Sequence, residues 1–182
     1  MVHLSLDALE AGIAEIRRSP RTDGTVDLLV VRPGVDERTV LDVARLDPEV
    51  GMVGDTWRQR GSRLTPDGSA HPDMQLNMMN SRVAALLAPN PQRWALAGDQ
   101  LYVDLDLSHD NLPPGTRLAL GPAVIEITDQ PHRGCAKFSQ RFGHDALRFV
   151  NSPVGVSLRL RGVNARVVLA GTVRRGQAIA IV

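Results

Sequence analysis

The feature that most constrains the fold is a series of short apolar segments separated by glycine and proline corners. Residues 101–107 alternate apolar and polar side chains, as a half-buried strand does. Corners follow at Pro113-Pro114-Gly115 and at Gly121-Pro122. Further strands are predicted at residues 117–120, 123–128, 156–160, 165–169 and 177–182. This pattern predicts a mainly β fold with peripheral helices (α+β), built on a closed or nearly closed β-barrel.

The first half of the chain mixes helices and strands. Apolar spacing predicts an amphipathic helix over residues 5–18, a buried strand over 25–32 and another strand over 74–79. Asn80 or Ser81 is a candidate cap for a helix that ends at Leu87, and residues 145–150 favour a short helix. Residues 36–48 fit strand and helix equally well. A length of 182 residues suits one domain, so we expect an N-terminal helix over residues 1–24 appended to a barrel domain over residues 25–182.

Residues 51–73 have almost no apolar periodicity and are rich in Gly, Asp, Arg, Ser, Thr and Pro. A loop of this length inside a compact domain is more often functional or mobile than accidental.

Composition excludes several classes of function. The 21 Lys and Arg and 20 Asp and Glu give a net charge of +1, and only 3 % of residues are aromatic. The chain therefore offers neither the basic stripe nor the stacking platform of a nucleic-acid-binding protein. No apolar run approaches the roughly 20 residues of a membrane helix, and the N-terminus lacks a secretory signal. We expect a cytoplasmic protein without nucleic-acid or membrane partners.

The most reactive side chain the sequence offers is Cys135, the one cysteine. His132, Arg133 and Lys137 lie within three residues of it, and nearby cations lower the pKa of a thiol. Free cysteines are also frequently buried and inert, so both interpretations remain open. A third interpretation, a metal site of His132, Cys135 and His144, has too few ligands for structural zinc.

Three other clusters carry chemistry-bearing side chains. Asp55 and Asp99 each follow a glycine, an arrangement that orients a ligand or simply forms a turn. Arg159, Arg161 and Arg166 flank Asn164 near Gly162 and either grip an anion or form a solvated strand face.

The order of these motifs resembles the MOSC domain, the C-terminal domain of molybdenum cofactor sulfurases. The similar segments are Gly51-Met-Val-Gly-Asp55, Gly98-Asp-Gln-Leu101, Leu112-Pro-Pro-Gly-Thr-Arg-Leu118, Pro131-His-Arg-Gly-Cys135, Arg161-Gly-Val-Asn-Ala-Arg-Val167 and a final Gly-x-Ala-Ile strand. The resemblance spans about residues 25–182. It departs from the family at Gln100, where Asn is usual, and at Thr56-Trp57-Arg58, where the family often has Arg-His.

The resemblance implies a MOSC-like β-barrel and a functional Cys135. Stand-alone members of the family are thought to be sulfur carriers or molybdenum-dependent reductases of N-hydroxylated compounds. The chain has no room for the pyridoxal-phosphate desulfurase domain of full-length sulfurases, so pyridoxal phosphate is not expected. A cysteine desulfurase-like sulfur donor, a small molecule or redox partners are the partners implied.

The leading hypothesis therefore has two versions. In the sulfur version, Cys135 carries a persulfide whose anion is stabilised by His132, Arg133 and Lys137. In the cofactor version, Cys135 ligates molybdenum in a pterin cofactor. The binding residues expected around that cofactor are His132, Arg133, Lys137, Asp55, Arg58, Asp99, Asn164 and Arg166, with Arg58, Arg133 and Arg166 on the pterin phosphate.

The alternative function is a ligand-binding or sensing barrel without turnover. In that protein Cys135 is packed in the interior, and Asp55, Asp99 and Arg166 contact an anionic or heterocyclic ligand.

Overall fold

A computed structural model describes residues 3–182, which form a mixed β-barrel with short helices around it. The strands are β1 Asp23–Val31, β2 Thr39–Leu41, β3 Val43–Asp47, β4 Gly51–Met52, β5 Leu76–Asn80, β6 Leu101–Asp104, β7 Arg117–Leu120, β8 Ala123–Ile127, β9 Val163–Leu169, β10 Gly171–Arg174 and β11 Ala178–Ile181. The α-helices are α1 Leu6–Ala11, α2 Ile13–Ile16, α3 Ser81–Leu87, α4 Ala136–Phe142, α5 His144–Asn151 and α6 Pro153–Ser157. Short 3-10 helices cover Trp57–Gln59, Pro72–Met74 and Pro91–Ala97. The predicted fold class is confirmed.

Seven strands close the barrel in the order β11-β7-β8-β9-β5-β6-β1, because β1 also pairs with β11. The closing register places Asp23 opposite Ala180. The β5–β6 pair is parallel, and the other pairs of the ring are antiparallel. Strand β2 extends the sheet beyond β1, and β10, β3 and β4 form a separate small sheet.

The apolar residues divide into two cores, one inside the barrel and one between the barrel wall and the helices. Strand β1 serves both. Val26 and Leu29 belong to the inner core, whereas Leu28 and Val30 belong to the outer one. Both faces of the second half of β1 are therefore buried, which explains why residues 28–31 are continuously apolar rather than alternating.

The N-terminal segment packs against the helical side of the molecule. Leu9 and Ile16 are buried in the outer core, and the Leu6 N–H donates to Asp145 Oδ2 at 3.2 Å. The predicted helix over residues 5–18 is divided into α1 and α2 at Gly12. The division of the chain at residue 24 remains a prediction.

The strand expected at residues 156–160 is wrong. Ser152 accepts a hydrogen bond from the Gly155 N–H (3.0 Å), and Pro153 occupies the first turn, so the segment begins as helix α6. Residues 36–48, left open between strand and helix, contain all of β2 and β3. Helix α4 and strand β10 had no counterpart in the sequence prediction.

Within residues 3–182, the helices are too short and too polar to span a bilayer.

Candidate functional site

Cys135 is exposed at the start of α4. The segment before it is held on α5, since the Gly134 N–H donates to Asn151 Oδ1 (3.0 Å) and Asn151 Nδ2 donates to the Gly134 carbonyl (3.2 Å). Exposure makes the thiol available for chemistry. The interpretation of Cys135 as a packed interior cysteine is therefore wrong.

Three side chains from separate parts of the chain meet behind this segment. Asp99 is fully buried. Its Oδ1 lies 3.0 Å from His132 Nε2, and its Oδ2 accepts a hydrogen bond of 2.7 Å from Arg161 Nη1. The prediction placed Asp99 and His132 in one site, and they are in contact. Arg161, suggested by the sequence as part of an anion grip or a solvated strand face, is instead 6 % exposed and is the countercharge of Asp99.

Burial and charge set the protonation of this cluster. Burial first, and then the positive charge of Arg161, lower the pKa of His132 despite the opposing effect of Asp99. Burial alone would raise the pKa of Asp99, but Arg161 and the His132 hydrogen bond outweigh it and lower that pKa. Asp99 is thus an anion paired with Arg161, and His132 is neutral at pH 7.

Arg161 also links this cluster to its surroundings. Its Nη2 donates to the Ala97 carbonyl (2.8 Å), and its guanidinium carbon lies 5.1 Å from the centre of the Phe138 ring on α4. The remaining guanidinium donor, Nε, is buried without an acceptor.

Asp55 has a structural partner of its own. Arg32 donates to it through Nε (2.8 Å), Nη2 (2.9 Å) and its backbone N–H (3.0 Å), and the Trp57 N–H adds a bond at 2.9 Å. Because the Asp55 side chain is inaccessible to solvent, it anchors the loop after β4 and offers its oxygens to Arg32 rather than to a ligand.

A cavity of about 520 Å³, the basic cavity, lies between the loop after β1 and helix α4. The charged residues that line it are Arg32, Asp36, Arg38, Arg60 and Lys137. Asp36 ties its two walls together, since it pairs with Lys137 (3.3 Å) and Arg141 (2.8 Å) of α4. Cys135 does not line the cavity, but Lys137 lies two residues further along, within about 7 Å along the backbone.

The basic cavity holds more positive charge than its acids neutralise. Burial first, and then the charges of Arg141 and Arg32, lower the pKa of Arg38. Burial and the positive charge of Arg32 likewise lower the pKa of Arg60. Asp55 does not offset them, because its Oδ1 lies as far as 3.7 Å from Arg60 Nη2. The Nε donor of Arg38 is buried without an acceptor. Guanidinium groups stay protonated in proteins, so the cavity is electrostatically prepared for an anion.

A second cavity of about 250 Å³ shares no lining residue with the first. His132 and Arg133 line it, together with Arg159 and Arg161. The residues that flank Cys135 therefore face two different cavities, with His132 and Arg133 on one and Lys137 on the other.

The other predicted ligand-binding residues lie elsewhere. Arg58 is exposed and lines neither cavity. Arg166 pairs with Asp73 (3.1 Å) and Glu126 (2.6 Å). Asn164 is fully buried, accepting from Asn77 at 2.6 Å and donating to the Gln130 carbonyl at 3.1 Å. Their structural partners account for Arg166 and Asn164 without a ligand.

No motif of the sequence points to Arg32, Arg38, Arg60 or Asp36. Arginines in polar loops carry no motif, and only the folded chain brings residues 32–38, 60 and 137 to one cavity.

The metal site suggested by His132, Cys135 and His144 is wrong. Across residues 3–182, no three His, Cys, Asp or Glu side chains come together as metal ligands do. His132 Nε2 is already engaged by Asp99.

No protein-family model matches the chain, and no curated protein matches its sequence. Its fold is similar to that of the YuaD protein from Bacillus subtilis, with a TM-score of 0.67 at 15 % identity over 87 % of this chain and 95 % of that one. It is also similar to YiiM from Escherichia coli, with a TM-score of 0.55 at 19 % identity over 87 % and 69 % of the chains. YiiM from Geobacillus stearothermophilus gives a TM-score of 0.59 at 14 % identity over 87 % and 75 %. These neighbours are MOSC-domain proteins, and the chain has a MOSC-like β-barrel fold.

Proposed function

We propose that the protein binds a molybdenum-pterin cofactor, with the phosphate of the pterin in the basic cavity and the Cys135 thiolate as the protein's sulfur ligand to the metal. The observation that carries this proposal is the unbalanced positive charge of the cavity, with Arg38 Nε buried and unpaired. A phosphate supplies the missing negative charge. When bound, the metal would supply redox chemistry beside Cys135.

The residues of the chain fit this ligand in different roles. Arg38 and Arg60 are the guanidinium groups with the least neutralised charge, so we assign them to the phosphate. Arg32 is held by Asp55 and keeps the wall of the cavity in place. The side chain of Lys137 is 60 % exposed and contributes positive charge to the lining of the cavity. Lys137 lies two residues after Cys135 in the sequence.

Sulfur transfer through Cys135 is the second candidate function, and the exposure of the thiol favours it. The Cys135 thiolate would attack the terminal sulfur of a persulfide on a cysteine desulfurase-like donor. The new S–S bond forms as the donor's S–S bond breaks, and the donor leaves as a thiolate, so no external oxidant is needed. This function requires no occupant in the basic cavity.

The test is metal analysis and intact mass of protein purified without oxygen from cells that make the molybdenum cofactor. We expect about one molybdenum per chain, reduced at least tenfold in Arg38→Gln and in Cys135→Ser. Arg63→Gln, at an exposed arginine outside the cavity, is the matched control and should retain the metal.

Other outcomes decide between the candidates. A gain of about 32 Da that is lost on reduction and absent from Cys135→Ser, without molybdenum, would replace the cofactor by the persulfide. Equal molybdenum content in Arg38→Gln, Arg63→Gln and the unmodified protein would contradict the role of the basic cavity.

A further inference from the structure

The second cavity has a charge imbalance of its own. Arg133 and Arg159 both line it. Among residues 3–182 neither of them pairs with a carboxylate, and the one side-chain hydrogen bond of Arg159 runs to the Leu112 carbonyl. Asp129 is the acidic side chain in the lining, and it is exposed. Burial lowers the pKa of Arg159, with no compensating negative charge. A partly buried cation without a carboxylate partner is unfavourable, so Arg159 favours an anion in this cavity.

Arg161 provides an independent observation in the same lining. It is 6 % exposed, and its two Nη atoms are occupied by Asp99 and the Ala97 carbonyl. Its Nε has no acceptor. A buried donor without an acceptor costs on the order of 1–3 kcal/mol, so the guanidinium of Arg161 is incompletely hydrogen-bonded at the wall of this cavity.

The backbone around Arg159 is itself unusual. Arg159 has a φ of 50°, in the left-handed region where glycine or asparagine is normally found. Together with Gly162 at φ 108°, it forms the turn that brings Arg159 and Arg161 to one cavity. Non-glycine residues in this conformation are uncommon and cluster at functional sites.

The lining is mixed. Val150, Val156, Val163 and Pro114 contribute hydrocarbon surface, and His109, Thr128, Gln130 and His132 contribute polar groups. A hydrated inorganic anion gains nothing from the hydrocarbon surface, whereas an organic anion buries its apolar part there. The volume of about 250 Å³ lies below the usual range of drug-sized pockets, which indicates a small molecule.

We propose that the second cavity binds a small organic monocarboxylate whose carboxylate lies among Arg133, Arg159 and Arg161 and whose compact apolar body packs against Val150 and Val156. This site is separate from the basic cavity, so the proposal goes beyond the cofactor and does not depend on it.

The experiment measures binding to the full chain by NMR titration, with benzoate and isobutyrate as probes and with benzamide and acetate as comparison ligands. Benzamide has the shape of benzoate without its charge, and acetate has the charge without the apolar body. We expect a saturable Kd below about 1 mM for at least one probe, with shifts at His132 and at the Val150 and Val156 methyl groups. Benzamide and acetate should bind at least tenfold more weakly.

Variants then locate the contacts. Arg133→Gln and Arg159→Gln should each weaken probe binding at least tenfold, and Arg133 is exposed, so its variant keeps the test valid if Arg159→Gln is unstable. Arg174→Gln, at an exposed arginine of β10, is the matched control with a change below twofold. Arg38→Gln should also leave probe binding unchanged, which separates this site from the cofactor site.

The proposal is overturned if neither benzoate nor isobutyrate shows saturable binding at concentrations up to ten times the Kd limit of about 1 mM. It is also overturned if benzamide and benzoate bind equally tightly. Acetate binding as tightly as benzoate would reduce the site to a simple anion site. Equal losses in Arg174→Gln and Arg159→Gln would indicate a general charge effect instead of a pocket.

Discussion

At the residue scale, the buried contact between His132 and Asp99 links pH to folding. The side chain of His132 is 13 % exposed, and burial together with Arg161 lowers its pKa in the folded protein. In the unfolded chain the imidazole has its ordinary pKa of about 6.5. Between these two values the unfolded state binds one more proton than the folded state.

His132 therefore destabilises the folded protein as the pH falls. Its contribution to stability is fully present above about pH 6.5 and is lost as the pH falls towards the folded pKa, by up to about 1.4 kcal/mol per pH unit. Urea denaturation between pH 7.5 and 5.5 measures this slope. We expect a clearly smaller slope in His132→Gln, whose amide can still donate to Asp99. His144→Gln, at an exposed histidine, should keep the original slope, and an unchanged slope in His132→Gln would contradict the assignment.

Part of the candidate site could be predicted from single residues of the sequence. A glycine before Asp99 and the short segment His132–Cys135 were enough to select residues that do lie together. The positively charged partner of Asp99 could not be assigned from the sequence, because Arg161 lies near other arginines, such as Arg166. Arg161 is buried and Arg166 is exposed, and only the fold shows this difference. The cationic lining of the basic cavity comes from distant loops and leaves no spacing pattern.

At the scale of elements, the segment that carries Cys135 depends on α5. Asn151 makes both hydrogen bonds to Gly134, and a Cβ added at Gly134 would lie 2.8 Å from Leu147 Cδ1 and 2.9 Å from Val150 Cγ2. Close packing on the helix thus favours glycine at 134. The segment that leads to the thiol is held by this contact with α5.

Removing the Asn151 side chain should release this segment. In Asn151→Ala the Gly134 N–H loses its acceptor, so we expect its amide hydrogen to exchange at least tenfold faster, with exchange in β1 unchanged. Asn151→Asp keeps an acceptor oxygen and should preserve most of the protection. Hydrogen exchange followed by mass spectrometry or NMR measures both. Equal exchange in the alanine variant and the unmodified protein would show that the two bonds do not hold the segment.

Local signals predicted elements well where capping and periodicity agreed. Asn80 caps α3 through hydrogen bonds from Arg82 N–H (2.8 Å) and Val83 N–H (3.3 Å), as the sequence indicated. At the strand predicted over residues 156–160 they disagreed. Apolar residues alternate with polar ones there and favoured a strand, but the Ser152-Pro153 start, which typifies a helix N-terminus, determined the structure.

At the scale of the whole molecule, the barrel depends on the pairing of β1 with β11. Ile179 is completely buried in the inner core, whereas Ile181, two residues further on, is 38 % exposed. Closure therefore rests on a few side chains of the last strand as well as on backbone hydrogen bonds.

This pair of isoleucines gives a matched test of closure. Ile179→Ala leaves a cavity in the inner core and should lower the free energy of unfolding by about 2–5 kcal/mol, and Ile181→Ala by less than about 1 kcal/mol. Urea denaturation of both variants measures the difference. Similar losses at the two positions would mean that β11 is not packed as an inner strand.

The same closure governs how the chain reaches its native state during synthesis on the ribosome. The half of β1 that contains Asp23 to Thr25 finds its neighbour only when residues 178–180 have emerged. Until then this half of the edge has no backbone partner, although β2 can already pair with Leu29–Val31, and an unpaired strand edge is where nascent chains recruit chaperones or associate with one another. Because β11 is the last strand along the chain, completion of the barrel must follow translation of residues 178–180.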